Sequence, residues 1–345
     1  MDSSTARACR IAARGITIFL LILIAPPAAR GQETQEEPIL DRLEQAVKHD
    51  FLSLGAVIRT VGDFIWDRDG LSGHNGFGIA ASRLRVSGDL DFGFGYNVQT
   101  DFATSPVLLD ARLSYGITSD VTLDAGLFKA PFSAEQLISL SSLDFVNRSQ
   151  VVRALSPGRQ VGVAIRGGAA GGAFSYGAGV FNGNGRSLSG NDNDKLMYAG
   201  RVTANPRVNE GTFEVGANIA FSEDETGIFA GERLLLGADL RREWAKWLLS
   251  AEAIYADFDP VVGEAFQPFG YHATIGYMLD PGRHQLLARW DAFDFDTGAD
   301  LQFIVLGYNF WPSRAFELQV NYAIPVHDGS EFSDQQILVN FQFAF

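Results

Sequence analysis

From Phe51 to Phe345 the chain is written in period two. Ile337, Val339, Phe341, Phe343 and Phe345 alternate with Gln336, Leu338, Asn340, Gln342 and Ala344. Phe213 to Phe221, Phe269 to Leu279, Phe316 to Ile324 and Leu109 to Tyr115 repeat the pattern, each with small, polar or charged residues in between. Successive side chains of a strand point to opposite faces, so every such segment has one apolar face and one polar face. No stretch in this region keeps a helical period for long. The alternation predicts strands near 52–66, 77–90, 91–103, 107–117, 120–129, 159–168, 172–182, 195–205, 211–222, 231–243, 245–257, 268–279, 282–294, 300–311, 314–324 and 335–345. The chain is therefore all-β, with about 16 strands.

A soluble sandwich alternates too, so alternation alone does not choose the architecture. Three further features do. The segments run to about ten residues or more, the length of a strand tilted across a bilayer. Aromatic residues gather at segment ends, as at Phe64/Trp66, Trp244/Trp247, Tyr255/Phe258 and Phe310/Trp311, where an interfacial girdle needs them. Ionisable residues stand in mid-segment on the polar face: Arg83, Arg85, Asp110, Arg112, Glu214, Asp239, Arg241, Arg289 and Asp291. Charges in a closed sandwich core are very costly, whereas the wall of a water-filled lumen accepts them. These features predict a transmembrane antiparallel β-barrel with an aqueous interior. Its connections alternate between short turns (Thr118-Ser119, Pro281-Gly282, Pro312-Ser313) and longer stretches at 67–76, 183–194, 223–230, 259–267 and 325–334.

One connection stands apart. After the fifth strand, residues 130–158 form a long loop without alternation, and loops of that length are usually functional. Ser133 is placed to cap a short helix over Ala134 to Leu143. Folded into the lumen, the loop would form the constriction, and Lys129, Arg148, Arg153 and Arg159 around it would give a cationic lining. The same residues also suit a second reading, in which they pin the loop to acidic wall residues by ion pairs. Together with Arg83, Arg85 and Arg112 on the wall they are the candidate anion-binding residues.

The beginning of the chain reads differently. Arg7, Arg10 and Arg14 precede the apolar run Gly15 to Ala25, and small residues around Ala28-Ala29-Arg30-Gly31 follow. That is a secretory signal at residues 1–31, too short to span a membrane as a helix. Residues 32–50 are an acidic arm with a short helical pattern at Ile39, Leu43 and Ala46/Val47, and 51–345 are the barrel. Cys9, the one cysteine, lies in the leader, so no disulfide scaffold is available. With 27 Lys plus Arg against 41 Asp plus Glu, the net charge is −14, and cleavage of the leader deepens it. Nucleic acid is excluded as a partner on that balance. Inward-facing Asp63, Asp110, Asp124, Glu214, Asp239, Glu252 and Asp291 would oppose an anion.

Several segments resemble the phosphate-selective porin O and P family. They are Gly126-Leu127-Phe128-Lys129-Ala130-Pro131-Phe132-Ser133, Asp144-Phe145-Val146-Asn147-Arg148-Ser149 and Pro157-Gly158-Arg159-Gln160-Val161-Gly162-Val163, with Arg83-Leu84-Arg85-Val86-Ser87-Gly88 and Gly179-Val180-Phe181-Asn182-Gly183. The resemblance implies a 16-stranded, homotrimeric outer-membrane channel through which small anions such as phosphate diffuse. Terminal Phe345 also looks like the signal read by the outer-membrane assembly machinery. The chain departs from phosphate-specific members in having only Lys48, Lys129, Lys195 and Lys246, although arginine can hold phosphate bidentately. Two rival functions remain: a non-conducting structural or binding barrel in the same lipids, and a barrel-embedded enzyme. The five histidines (His49, His74, His272, His284, His327) show neither a nucleophile–base grouping nor metal-ligand spacing, so the sequence predicts no catalysis, metal or cofactor.

Overall fold

The computed structural model describes residues 48–49, 51–66, 71–225, 230–280, 282–296, 298, 300–326 and 334–345. The leader expected at 1–31 and the helical pattern from Ile39 to Val47 lie outside them. Lys48–His49 forms a short strand, β1, against Ser53 and Leu52.

Sixteen longer strands follow among the described residues. They are β2 Leu52–Trp66, β3 Leu71–Asp89, β4 Phe94–Asp101, β5 Leu108–Thr118, β6 Val121–Lys129, β7 Arg159–Ala169, β8 Phe174–Phe181 and β9 Met197–Ala204. The second half comprises β10 Thr212–Asp224, β11 Gly231–Trp244, β12 Trp247–Pro260, β13 Phe269–Asp280, β14 His284–Asp294, β15 Asp300–Phe310, β16 Phe316–Pro325 and β17 Gln335–Ala344. Each pairs antiparallel with its neighbour in sequence, and β17 returns to β2 with Ile337 opposite Phe64 and Asn340 opposite Val61. Phe345 exchanges backbone hydrogen bonds with Ala56 and completes the seam. A closed sheet has no unpaired edge, the condition a sheet must meet in hydrocarbon, where water cannot satisfy exposed N–H and C=O groups.

The expected alternation sets the faces. Leu84 and Leu113 are 52% and 64% exposed on the outside, while Asp101 and Asn340, on the inside, are fully buried. A soluble protein buries apolar and exposes polar residues; this barrel does the reverse, because its outer solvent is lipid. One strand is longer than its sequence pattern suggests. β3 begins at Leu71 rather than Phe77, so much of the loop expected at 67–76 is strand. Asp63 sits opposite Gly76, and Asn75 Oδ1 accepts from the Ile65 N–H at 2.5 Å, so backbone pairing holds where the glycine-rich sequence carries no alternation. The short turns, such as Ser119–Asp120 and Ala245–Lys246, share one rim with the ends of the barrel chain; the longer connections share the other.

Residues 130–158 fold inward. Within them lie α1 (Ala134–Leu137), a 3-10 turn at Leu140–Ser142 and α2 (Gln150–Leu155). Ser133 caps α1 as expected, its Oγ accepting from the Gln136 N–H at 3.1 Å. The helix stops at Leu137 instead of running to Leu143. Its last carbonyls are taken by side chains: Lys129 Nζ donates to those of Gln136 (2.6 Å), Leu137 (3.2 Å) and Ile138 (2.9 Å), and cations favour a helix C-terminus. Phe132, Val151, Val152 and Leu155 then pack with Ile254, Ala256 and Phe293 of the wall into one apolar cluster. Two wall glycines receive the loop. A Cβ on Gly307 would stand 2.9 Å from the Phe145 ring, and one on Gly270 would stand 2.8 Å from Val151 Cβ. The close approach of the loop is what makes glycine necessary there.

Candidate pore constriction

The wall from β10 round to β17 and β2 holds the loop by its backbone. Asn218 Oδ1 accepts from the Ser133 N–H (3.1 Å), Glu252 Oε2 from the Glu135 N–H (3.0 Å), Asn321 Oδ1 from the Val146 N–H (2.8 Å) and Asp291 Oδ1 from the Gln150 N–H (3.0 Å). In return Gln319 donates to the Leu143 carbonyl (2.9 Å), Asn309 to that of Asp144 (2.9 Å), Arg59 to that of Val146 (2.9 Å), Arg289 to that of Asn147 (3.2 Å) and Gln342 to that of Ser141 (3.1 Å). A loop with no strand partner must satisfy its buried N–H and C=O groups somehow, and amides supply both donor and acceptor. Charge adds to this. Arg241 grips Asp144 (2.7 Å), and Arg289 lies 4.5 Å above the Phe145 ring. The Glu135 carboxylate accepts from the N–H and Oγ of Ser149 at 2.8 and 2.7 Å. Burial alone would raise the Glu135 carboxyl; the nearby His272 and Arg289 and the Ser149 hydrogen bonds outweigh it and hold the group below its ordinary 4.5.

The opposite wall faces open space. Arg83, Arg85, Arg112, Lys129 and Arg159 line one cavity of about 290 Å³, together with Asn97, Gln99 and Asp110, and across it stand Leu137, Ser139, Leu140 and Ser141 of the loop. A second cavity of about 780 Å³ continues toward the short-turn rim, reaching Asp120 and Gly171. The two share Arg112, Phe128, Lys129 and Leu137 in their walls, so the boundary between them runs between the arginine wall and the tip of α1.

Of the seven candidate cations, five therefore meet in one place. Arg148 does not line that cavity; it donates to the carbonyls of Glu135 (3.1 Å) and Ile138 (2.7 Å) and so braces the loop from behind. Arg153 sits on the exposed side of α2, away from Val151, Val152 and Leu155, and its side chain bonds no described residue. Lys129 does two things at once, since it lines both cavities while capping α1.

Most acidic residues of the inner face are paired with arginines, and the others accept from neutral donors. Asp101 pairs with Arg83 (2.8 Å) and Asp110 with Arg159 (3.0 Å). Asp124 is shared by Arg166 (2.6 Å) and Arg112 (3.7 Å), and Arg289 pairs with Asp291 (3.1 Å). Arg201 binds both Asp239 and Glu214, Glu252 accepts from the loop, and Asp63 accepts from Gln336. Arg85 has no acidic partner among the described residues; its Nε donates to Asn97 Oδ1 at 2.6 Å. The lining of the smaller cavity is thus five cations against one carboxylate, Asp110, which offsets one of them, Arg159.

Sequence reasoning missed the amides that hold the loop, Asn218, Asn309, Gln319, Asn321 and Gln342. Their signal was their place on the inward parity of strands, but an amide facing water and one facing a loop backbone read alike. His272 and His284 lie on the adjacent strands β13 and β14, with His272 opposite Asp291 and His284 opposite Asp280. Among the described residues, no group of three His, Cys, Asp or Glu side chains is arranged to hold a metal ion.

Solved structures with the same fold include the anion-selective porin from Comamonas acidovorans, at 15% identity, covering 85% of this chain and 99% of that one with a TM-score of 0.69. OmpT of Vibrio cholerae in its trimer form matches at 11% identity, covering 85% and 99%, with a TM-score of 0.62. OprB of Pseudomonas putida matches at 13%, covering 90% and 98%, with a TM-score of 0.58. No curated protein matches in sequence. The sequence profile described as phosphate-selective porin O and P matches residues 60–241, more than half of the chain. With its closed barrel of sixteen long strands and a loop folded into the lumen, the chain belongs to the phosphate-selective porin O and P family of outer-membrane porins.

Proposed function

We propose that the barrel is a passive channel for small hydrophilic anions, with Arg83, Arg85, Arg112, Lys129 and Arg159 setting the sign of selectivity. The observation that carries this reading is the cavity lining, in which five cations face a loop tip without a carboxylate. A ring or wall of basic side chains raises the local concentration of anions and lowers that of cations. That the structural relative from Comamonas acidovorans is named as anion-selective agrees with it. On this reading the chain is exported by cleavage of residues 1–31, handed to the outer-membrane assembly machinery through Phe345, and works as a homotrimer in outer-membrane lipid with its long connections outward.

The test is the reversal potential of purified protein in a planar bilayer under a potassium chloride gradient. Chloride should permeate better than potassium, and more so at low salt, where screening is weak. Absence of channel events would return the chain to a structural or binding barrel, and a potassium preference would overturn the assigned sign.

A further inference from the structure

The face opposite the arginines is apolar where a solute must pass. Leu137 is 38% exposed, and it is the one large apolar side chain of the 130–158 loop that is exposed. It stands in the walls of both cavities, on the boundary with Arg112. Its position is fixed from behind, because Lys129 holds its carbonyl at 3.2 Å and those of Gln136 and Ile138 on either side. Leu140 extends the apolar surface along the smaller cavity. The loop hydroxyls nearby are engaged with one another, Ser139 Oγ with Ser142 Oγ at 3.0 Å and with Ser141 Oγ at 3.4 Å.

At Leu137 itself, hydrogen-bond donors therefore come only from the arginine side. There, Arg83 and Arg159 are matched by carboxylates, while Arg85 has none and Arg112 shares Asp124 with Arg166. A tetrahedral inorganic oxyanion is hydrated on all sides. Against Leu137 it would lose water and gain no hydrogen bond, which opposes passage. A carboxylate bearing a hydrocarbon group has the matching asymmetry. Its planar head fits the guanidinium fork, and its apolar part gains from leaving water along Leu137 and Leu140.

Resting on the anion-channel reading, we propose that the constriction favours small organic carboxylates with an apolar flank over inorganic phosphate, and that Leu137 determines this preference. The test compares wild type, Leu137→Ser and Leu137→Met in planar bilayers, with benzoate, phosphate and chloride as the permeating anions. Benzoate should show a higher permeability relative to chloride than phosphate does. Leu137→Ser should lower the benzoate-to-chloride ratio about threefold and leave the chloride-to-potassium ratio as in wild type, and Leu137→Met should keep both. Because Leu137 is exposed and packs no core, the variants should fold as wild type does. Phosphate permeating as well as or better than benzoate, or a Leu137→Ser ratio equal to wild type, overturns this proposal while leaving the anion channel intact. A potassium preference in the same bilayers overturns both.

Discussion

Two stretches of the inner wall use their polar side chains in opposite ways. From β10 to β17 and β2, amides, carboxylates and arginines point at the loop backbone and are consumed by it. From β3 to β7, arginines point at open space and bond to neighbours on their own wall, as Arg83 does with Asp101 and Arg159 with Asp110. The loop makes the difference. By lying against one side it turns that side into protein interior, where polar groups must be paired, and leaves the other as the lining of a water-filled path. On the proposed reading the uncovered side alone sets the sign of the pore field, and a chain with a net charge of −14 can then present a cationic constriction.

If the covered side is an anchor, cutting one tie should disturb the loop more than any change of a lone exposed charge. Arg59 is the strongest test, being buried and bonded both to the Val146 carbonyl and to Asn340. Arg59→Ala should lower barrel stability by about 1.5–3 kcal/mol, the scale of a charged buried hydrogen bond, read as earlier thermal unfolding in detergent. It should also add open-channel noise in bilayer recordings; wild-type stability and noise would mean the anchor does not depend on it.

A smaller and pH-dependent effect belongs to Glu135. Its carboxyl is held below the ordinary 4.5, so the stabilisation it contributes is present above that value and is lost as pH falls through the lowered one. The part of the channel noise that depends on Glu135, read as the difference between wild type and Glu135→Gln, should stay at its neutral-pH level down to below pH 4.5 and change only under stronger acid. Glu135→Gln, which keeps a hydrogen-bond acceptor without the charge, should be noisier than wild type at pH 7 and show less change on acidification. The same response in both proteins would remove Glu135 from the anchor. The least effect is expected from Arg153→Ala. Arg153 is exposed on α2 and outside the cavity lining, so the chloride-to-potassium ratio should change less than about twofold. A larger drop would place Arg153 in the ion path and blur the division between the two sides.

The barrel was legible in the sequence because the pleat has a period of two and the bilayer enforces a contrast between faces; alternation from Leu109 to Tyr115 or from Ile337 to Phe345 is that contrast. β3 escaped over 71–76, since strand pairing there is carried by backbone, which leaves no mark in a glycine-rich stretch. The cations of the constriction were visible as residues and not as roles. Lys129 and Arg148 look alike in sequence, yet one lines the path and both cap loop carbonyls. Whether Arg159 would meet Asp110 depended on the register of β5, β6 and β7 together, across 49 positions of sequence. The anchoring amides were the least legible, because their partners are main-chain atoms of a loop whose course no periodicity records.

If the uncovered wall sets the sign of selectivity, replacing its two least-neutralised arginines should reverse that sign. The measurement is the reversal potential of the Arg85→Glu, Arg112→Glu double variant beside wild type, in the same potassium chloride gradient at low salt. Both side chains line the cavity and neither holds the loop, so the variant should fold and conduct. Wild type should prefer chloride and the variant potassium. A variant that still prefers chloride as wild type does would contradict that role of the uncovered wall.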